Sequence, residues 1–177
     1  MFDMRKSYLK KRFLALLIDY MVIWIYLISL FLLFAIIYII FLDQIPVFNE
    51  TTSHLMALIT TVIPVTLVFS YMEYRHPYAT IGKRRMGLEV AYENHSYWNS
   101  LLRNALKFLP WHIGHTGVIR AMYQDYSTLW FMVGNIGILL AAIYICMVLF
   151  NENFKHIADL ISGTKVIEKG DSLNDET

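Results

Sequence analysis

The sequence predicts an all-α protein that crosses a lipid bilayer about four times. Of its 177 residues, 57% are hydrophobic and the mean hydropathy is +0.47, whereas soluble domains are about 45–50% apolar. The apolar residues are gathered into long blocks instead of recurring at the spacing of an amphipathic element. Basic residues collect before and between these blocks, as they do on the cytoplasmic side of membrane proteins. We predict one membrane domain over residues 1–166, with both termini cytoplasmic.

The first membrane segment is predicted over residues 13–42. Its most apolar part, residues 20–42, contains Ser29 as its one strongly polar side chain. At about 1.5 Å per residue this part exceeds the roughly 30 Å hydrocarbon core. A cleavable signal peptide has an apolar stretch of only about 7–15 residues. We therefore interpret the segment as an uncleaved anchor.

The second membrane segment is predicted over residues 54–73 and contains Pro64. Proline removes an N–H and would break a soluble helix, but hydroxyls and neighbouring helices can bond the freed carbonyl in a membrane. Threonines near Pro64 suit that role, so we expect a kinked span. Residues 74–100 carry more charge and are predicted to form a cytoplasmic loop, with a short extended segment at 86–92.

The third segment, residues 101–119, is ambiguous, and the fourth is predicted over residues 128–150. The third is mostly apolar but includes charged residues and a proline, so it can span, re-enter on one side, or lie on the surface. Lysine and arginine favour the cytoplasmic side. If the third segment crosses, twelve basic residues lie inside and only Arg120 lies outside. Four passes therefore fit better, and residues 167–177 are predicted to be a disordered polar tail.

Composition excludes several other classes of protein. The formal net charge is only +1, so nucleic acid is not an expected partner. The single cysteine, Cys146, excludes an intrachain disulfide. No phosphate-binding loop or nucleophile elbow is present. An enzyme is therefore the less favoured class, and the sequence identifies no cofactor.

Polar residues at membrane depth are the candidate functional residues. Asp19 lies seven residues after Arg12, so both side chains share one helix face. An aspartate at the bilayer centre costs roughly 2.5–3.5 kcal/mol, so such groups usually face a partner or a water-filled cavity. Arg103 and Lys107 also share a face, and are candidate partners for Asp19, for Glu73 or for lipid phosphate. A position near the headgroups, with a simple lysine partner, is the alternative for Asp19.

Two histidines form a separate candidate site. His112 and His115 are three residues apart, a spacing that can present two imidazoles to one metal on a helix. A metal site needs further ligands, and only loose candidates exist elsewhere in the sequence. The alternative, which is commoner for such a pair, is hydrogen-bonded structure.

Four stretches together point to a known family. They are Arg12-Phe-Leu-Ala-Leu-Leu-Ile-Asp19, then Thr80-Ile-Gly82-Lys83-Arg-Arg-Met-Gly87, then Leu102-Arg103-Asn104, and last Asp159-Leu-Ile-Ser-Gly163-Thr164. In this order they resemble the RDD family of bacterial membrane proteins, named for one arginine and two aspartates. The matching residues here are Arg12, Asp19 and Asp159. The chain departs from the expected pattern at Lys155 and Ala158, where arginine and histidine are expected.

The resemblance implies a bacterial plasma-membrane protein of a few helices, for which transport is often presumed. Some members of the family have been connected with sodium–proton antiport. We expect the four stretches to converge at the cytoplasmic face, where Asp19 exchanges a proton or cation and Arg12 or Arg103 tunes its charge. Two other functions stay open: a metal-dependent membrane enzyme that uses His112 and His115, and a non-catalytic accessory or immunity protein. A unit this small also suggests a homo-oligomer or a partner membrane protein.

Overall fold

The computed structural model describes residues 2–41 and 46–171, with side chains from residue 5 onward. This part of the chain is mostly helical. Its elements in chain order are α1 (Phe2–Phe41), α2 (Glu50–Ala57), a π-helical turn (Leu58–Val62), α3 (Ile63–Tyr74), α4 (Ile81–Arg85), β1 (Leu88–Tyr92), α5 (Tyr97–Tyr123), α6 (Thr128–Phe150), α7 (Ile157–Ile161) and β2 (Thr164–Glu168).

Three helical stretches in the described residues are long and apolar enough to cross a membrane. They are Arg5–Phe41, Glu50–Tyr74 and Thr128–Phe150, and they cover the predicted first, second and fourth segments. The ambiguous segment at 101–119 lies within α5, a single helix of 27 residues that continues through Pro110. At about 1.5 Å per residue, α5 is roughly 40 Å long.

The second stretch passes Pro64 by means of a π-helical turn, Leu58–Val62. Proline has no N–H to bond the carbonyl four residues earlier, which is that of Thr60. The hydroxyl of Tyr26 on α1 donates to this carbonyl at 2.5 Å. The hydroxyls of Thr60 and Thr61 instead bond carbonyls one turn before themselves. The threonines therefore do not take the expected role, because the freed carbonyl is bonded by a tyrosine from another helix.

The same arrangement recurs at Pro110 in α5. The freed carbonyl is that of Leu106, and the hydroxyl of Tyr144 on α6 donates to it at 3.2 Å. Each proline is therefore tolerated because a tyrosine of a neighbouring helix replaces the missing donor.

Glycines bring α5 and α6 into direct backbone contact. A Cβ built on Gly117 would lie 2.4 Å from the Gly134 nitrogen, and one built on Gly137 would lie 2.5 Å from the Pro110 oxygen. Small residues allow such close approach between helices that lipid surrounds. α5 therefore packs against the middle of α6.

A small antiparallel sheet joins distant parts of the chain, and its presence corrects the all-α prediction. β1 pairs with β2, with Val90 opposite Val166. The extended segment expected at 86–92 is thus present as β1, but its partner lies more than 70 residues later and has no local signal. β2 ends at Glu168, two residues past the predicted domain boundary, and residues 172–177 of the predicted tail lie outside the described residues.

The two ends of the helical bundle carry different contacts. At one end the start of α1 meets the sheet, where Tyr8 bonds the Val166 carbonyl and Lys11 pairs with Glu168 at 2.5 Å. The opposite end holds the start of α2, where Glu50 lies 3.3 Å from Arg120 of α5. We call the first of these, which contains α4, α7, β1 and β2, the sheet end.

Candidate functional site

Buried charged side chains are concentrated at the sheet end of the bundle. A buried charge is costly unless it is paired and hydrogen-bonded, so these side chains need one another. Those at most 9% exposed are Asp19, Glu73, Lys83, Arg103, His156 and Asp159. With Arg12 and Asn104, they form what we call the polar network.

Glu73, near the end of α3, is the centre of the polar network. Its carboxylate accepts hydrogen bonds from Lys83 Nζ at 2.6 Å, from Asn104 Nδ2 at 2.8 Å and from Arg103 Nη1. The Tyr92 hydroxyl donates to its backbone carbonyl at 3.1 Å. Burial raises the pKa of Tyr92 to about 12, so this hydroxyl keeps its proton. Glu73 thus connects α3 with α4, β1 and α5.

Arg103 extends the polar network from Glu73 to Asp159 on α7. Its Nε donates to Asp159 Oδ1 at 2.9 Å. Arg12 Nη2 lies 3.7 Å from the other oxygen of Asp159 and its Nη1 donates to the Phe154 carbonyl at 2.5 Å. Burial alone would raise the pKa of Asp159, but Arg103, His156 and Arg12 together outweigh burial and lower it to about 2. Asp159 is therefore an ionised bridge between α1, α5 and α7.

His156 caps the same short helix α7. Its Nδ1 accepts from the Asp159 N–H at 3.3 Å, and Asp159 Oδ2 accepts from the His156 N–H at 3.4 Å, which together form a capping box. Burial lowers the pKa of His156 to about 4, although Asp159 opposes that shift. At neutral pH the imidazole is uncharged and acts as a helix cap.

Asp19 holds the start of α4 against α1. Its two carboxylate oxygens accept from the Thr80 hydroxyl at 2.7 Å and from the Gly82 N–H at 2.8 Å. A Cβ on Gly82 would lie 2.0 Å from the Ala15 carbonyl oxygen. Only glycine fits this close approach, so Gly82 and Asp19 form one docking contact.

The other residues of the loop and carboxy-terminal stretches shape the turns around the polar network. Gly87 and Gly163 have φ values of +68° and +59°, which glycine adopts without strain. The Thr80 hydroxyl also caps α4 by accepting from the Lys83 N–H at 3.4 Å. Thr164 donates to Asp159 at 3.4 Å. These residues support the network without adding charge.

Among the described residues, one atom of the polar network lacks a hydrogen-bond partner, and a lysine beside the network lacks an ion-pair partner. Asn104 is fully buried, and while its Nδ2 donates to Glu73 and to the Ser100 carbonyl, its Oδ1 accepts nothing. Lys107 lies three residues further on α5, so it shares that helix face. Its Nζ lies over the rings of Phe69 and Phe108, at 5.2 and 5.3 Å, and no carboxylate of the described residues lies within 4 Å of it. We call this place, where Asn104 Oδ1 and Lys107 lack polar partners among the described residues, the opening of the polar network.

The predicted histidine pair lies away from the polar network. His115 Nδ1 is 3.2 Å from the Trp111 carbonyl, and His112 lines an apolar groove between α3 and α5. Within residues 2–41 and 46–171, no group of three or more histidine, cysteine or acidic side chains could hold a metal ion.

The structure brings Arg12, Asp19, Arg103, Asn104 and Asp159 to one end of the bundle. Arg103 pairs with Glu73 and Asp159, while Asp19 is held by α4. The central role of Glu73 and the capping role of His156 were not predicted. Glu73 carried one usable signal, since it is an acidic residue at the end of an apolar block.

The sequence pattern of the RDD family matches residues 7–163 of the chain. The chain belongs to the RDD family. All three residues for which the family is named lie in the polar network of this RDD protein. No curated protein and no solved structure matches the chain.

Proposed function

We propose that this RDD protein is a transport-related protein of the bacterial plasma membrane that couples its activity to an ion or a proton. The observation that carries the proposal is the opening in the polar network at Lys107 and Asn104. Ionisable groups inside a membrane are rare and usually belong to ion pathways or proton relays. A fully satisfied cluster would only clamp helices together, whereas this one has an unbonded acceptor at Asn104 and, beside it, a lysine that pairs with no carboxylate of the described residues.

The proposed topology has four passes with both termini in the cytoplasm. The contact between the start of α1 and β2 supports placing both on one side of the membrane, which requires an even number of passes. Three stretches are apolar enough to span, and we propose α5 as the fourth. α5 also contacts both ends of the second stretch, through Arg103 at Glu73 and Arg120 at Glu50. The basic residues near the sheet end favour the cytoplasm for that end.

Lys107 is the group that we propose to exchange the proton. It can gain or lose a proton without breaking an ion pair that joins two helices, because it makes none. Lys83, Glu73 and Asp19 lie close enough to interact with its charge. Binding of a cation or proton at the network would therefore change the electrostatic energy of the Lys107 charge directly.

Asp19, the residue first expected to exchange a proton, is the second candidate. Both of its oxygens already accept hydrogen bonds from α4. Protonation of Asp19 would weaken those bonds and release α4 from α1. Asp19 thus suits a conformational coupling role better than a direct relay.

The test is ion-driven proton flux into proteoliposomes that contain a pH-sensitive dye. We expect wild-type protein to acidify or alkalinise the lumen when a Na⁺ or K⁺ gradient is applied. Lys107→Met should abolish this flux because it removes the exchangeable proton at similar side-chain volume. Arg84→Gln, an exposed change on α4, should leave flux unchanged.

The absence of wild-type flux with either cation, in vesicles shown by sedimentation to contain folded protein, would count against the transport proposal. Wild-type flux in Lys107→Met would instead count against Lys107 as the group that exchanges the proton. Asp19→Asn separates the roles, because flux that persists there assigns the exchange to Lys107 alone.

The second candidate function is a non-catalytic accessory subunit. It is favoured by the complete pairing of Glu73 and Asp159, which is the pattern of a structural clamp. A homo-oligomer or a partner membrane protein would then be required for activity. Co-purification of one defined membrane partner, without flux from the isolated protein, would support this function over transport.

A further inference from the structure

A second concave surface lies at the end of α3, beside the polar network. It is a groove of about 560 Å³ lined by Tyr71, Tyr74, Arg75, Tyr78 and His95, among others. The second apolar stretch ends at Tyr74. The groove therefore lies at the level where the hydrocarbon core gives way to headgroups.

Arg75 presents hydrogen-bond donors to this groove. Its Nε donates to the Tyr71 hydroxyl at 3.2 Å, and its guanidinium lies 5.5 Å from the centre of the same ring. No carboxylate lies within 4 Å of Arg75 in the described part of the chain. The two terminal nitrogens of Arg75 and the proton of the Tyr71 hydroxyl are thus free to donate.

Aromatic rings form the other wall of the groove. Tyr74 and His95 stack at 4.9 Å with their planes 16° apart, and Tyr78 meets His95 edge-on at 5.1 Å. His95 Nε2 is also hydrogen-bonded to the Tyr74 carbonyl at 3.0 Å, which fixes the ring. Tyrosines are typical of the membrane–water boundary, where one end of the ring is apolar and the other is wet.

We propose that this groove binds a phosphate group, and that its occupant is the headgroup of an anionic phospholipid. A fork of guanidinium donors matches two oxygens of a phosphate, and none of the described residues that line the groove is acidic. The position of the groove at the end of a spanning helix favours a lipid as the source. This site does not depend on the transport proposal.

Native mass spectrometry of the detergent-purified protein, titrated with phosphatidylglycerol or phosphatidylcholine, tests the proposal. We expect wild-type protein to retain phosphatidylglycerol preferentially. Arg75→Gln should weaken that binding about tenfold, as expected for a lost charge-assisted hydrogen bond. Arg84→Gln, which removes another exposed arginine outside the groove, should change it less than about twofold. Tyr71→Phe should give an intermediate loss.

Equal weakening by Arg75→Gln and Arg84→Gln would overturn the site, because it would indicate general charge attraction. Absence of any preference for phosphatidylglycerol would also overturn it. Glycerol phosphate at millimolar concentration distinguishes the two sources of phosphate. We expect it not to displace the lipid; displacement would overturn the lipid assignment. Equal melting temperatures for the variants establish that all of them are folded.

Discussion

The sheet end and the middle of the bundle hold α5 against its neighbours by opposite means. At the sheet end, Arg103 joins three segments through ion pairs with Glu73 and Asp159. In the middle, Gly117 and Gly137 let α5 and α6 touch through their backbones, with no charge involved. Ion pairs tolerate movement but fail when one partner is lost, whereas backbone contact tolerates no added atom. The two regions should therefore respond to different changes.

The largest effect is expected from removing the central cation of the polar network. Arg103→Met leaves two buried carboxylates without their shared partner, which should lower the free energy of unfolding by about 3–5 kcal/mol. Arg120→Met, at the opposite end, removes a pair whose arginine is 41% exposed and should cost no more than about 1 kcal/mol. Unfolding of both variants by SDS titration in mixed micelles measures the difference. Similar losses would show that the sheet end is not specially dependent on charge.

A decrease in pH should also affect the sheet end more than the middle of the bundle. The pKa of His156 is about 4 in the folded protein against 6.5 ordinarily, so the unfolded chain binds more protons between these values. Stability should therefore fall as pH decreases from about 6.5 to 4, by roughly 3 kcal/mol from this group. Asp159, with a pKa lowered from 3.8 to about 2, adds to the loss only at lower pH.

His156→Asn isolates that contribution, because asparagine also caps helices but does not titrate. The melting temperature of the variant should change less between pH 7 and pH 4.5 than that of the wild-type protein. Gly134→Ala, in the middle of the bundle, should keep the wild-type pH dependence. An unchanged slope in His156→Asn would assign the acid sensitivity to other groups.

The glycine contact should respond to a single methyl group. Gly137→Ala places a Cβ 2.5 Å from the Pro110 oxygen, a backbone atom that cannot move aside, and should cost about 1–3 kcal/mol. Gly134→Ala, one turn earlier on α6, meets nothing closer than 3.7 Å. It should be neutral or slightly stabilising because alanine favours helices. Thermal unfolding in detergent compares them, and equal effects would contradict the close contact.

The smallest effects are expected at the two proline sites. Tyr26→Phe and Tyr144→Phe each remove the donor to a carbonyl freed by proline and should cost about 0.6–1.7 kcal/mol. Tyr38→Phe is the control, since the Tyr38 hydroxyl has no hydrogen-bond partner among the described residues. Amide hydrogen exchange around Pro64 and Pro110 should rise in the matching variant alone. Unchanged exchange there would show that the tyrosines are dispensable.

Much of the fold could be predicted because lipid imposes a simple requirement on sequence. A spanning helix needs about 20 consecutive apolar residues, and residues 128–150 agree with α6 at both ends. α5 was ambiguous because its sheet-end half carries Arg103 and Lys107, whose charges are tolerated only through tertiary contacts. The last two residues of β2 fall within the predicted polar tail, because the pairing of β2 with β1 spans more than 70 residues and leaves no local pattern in the sequence.

For the candidate site, the sequence identified most of the participants but not their partners. Spacing placed Arg12 and Asp19 on one helix face, the charge of Arg103 in a mostly apolar segment made it a candidate partner, and the family resemblance added Asn104 and Asp159. Which carboxylate meets which cation depends on how helices distant in sequence pack, and spacing within one helix does not contain that information. The sequence therefore predicts Asp19 and Glu73 equally as partners of Arg103, whereas in the structure Arg103 pairs with Glu73 and Asp159.

The sequence by itself determined that this chain belongs in a membrane and that its few embedded charges are exceptional, because hydrophobic length is a local property. Tertiary structure alone decided that Glu73 is the centre of those charges, that tyrosines replace the donors lost at Pro64 and Pro110, and that Lys107 forms no ion pair with the described residues. Each of these depends on which side chains from separate helices come within about 3 Å of one another. That proximity is set by packing, in which every helix constrains the others.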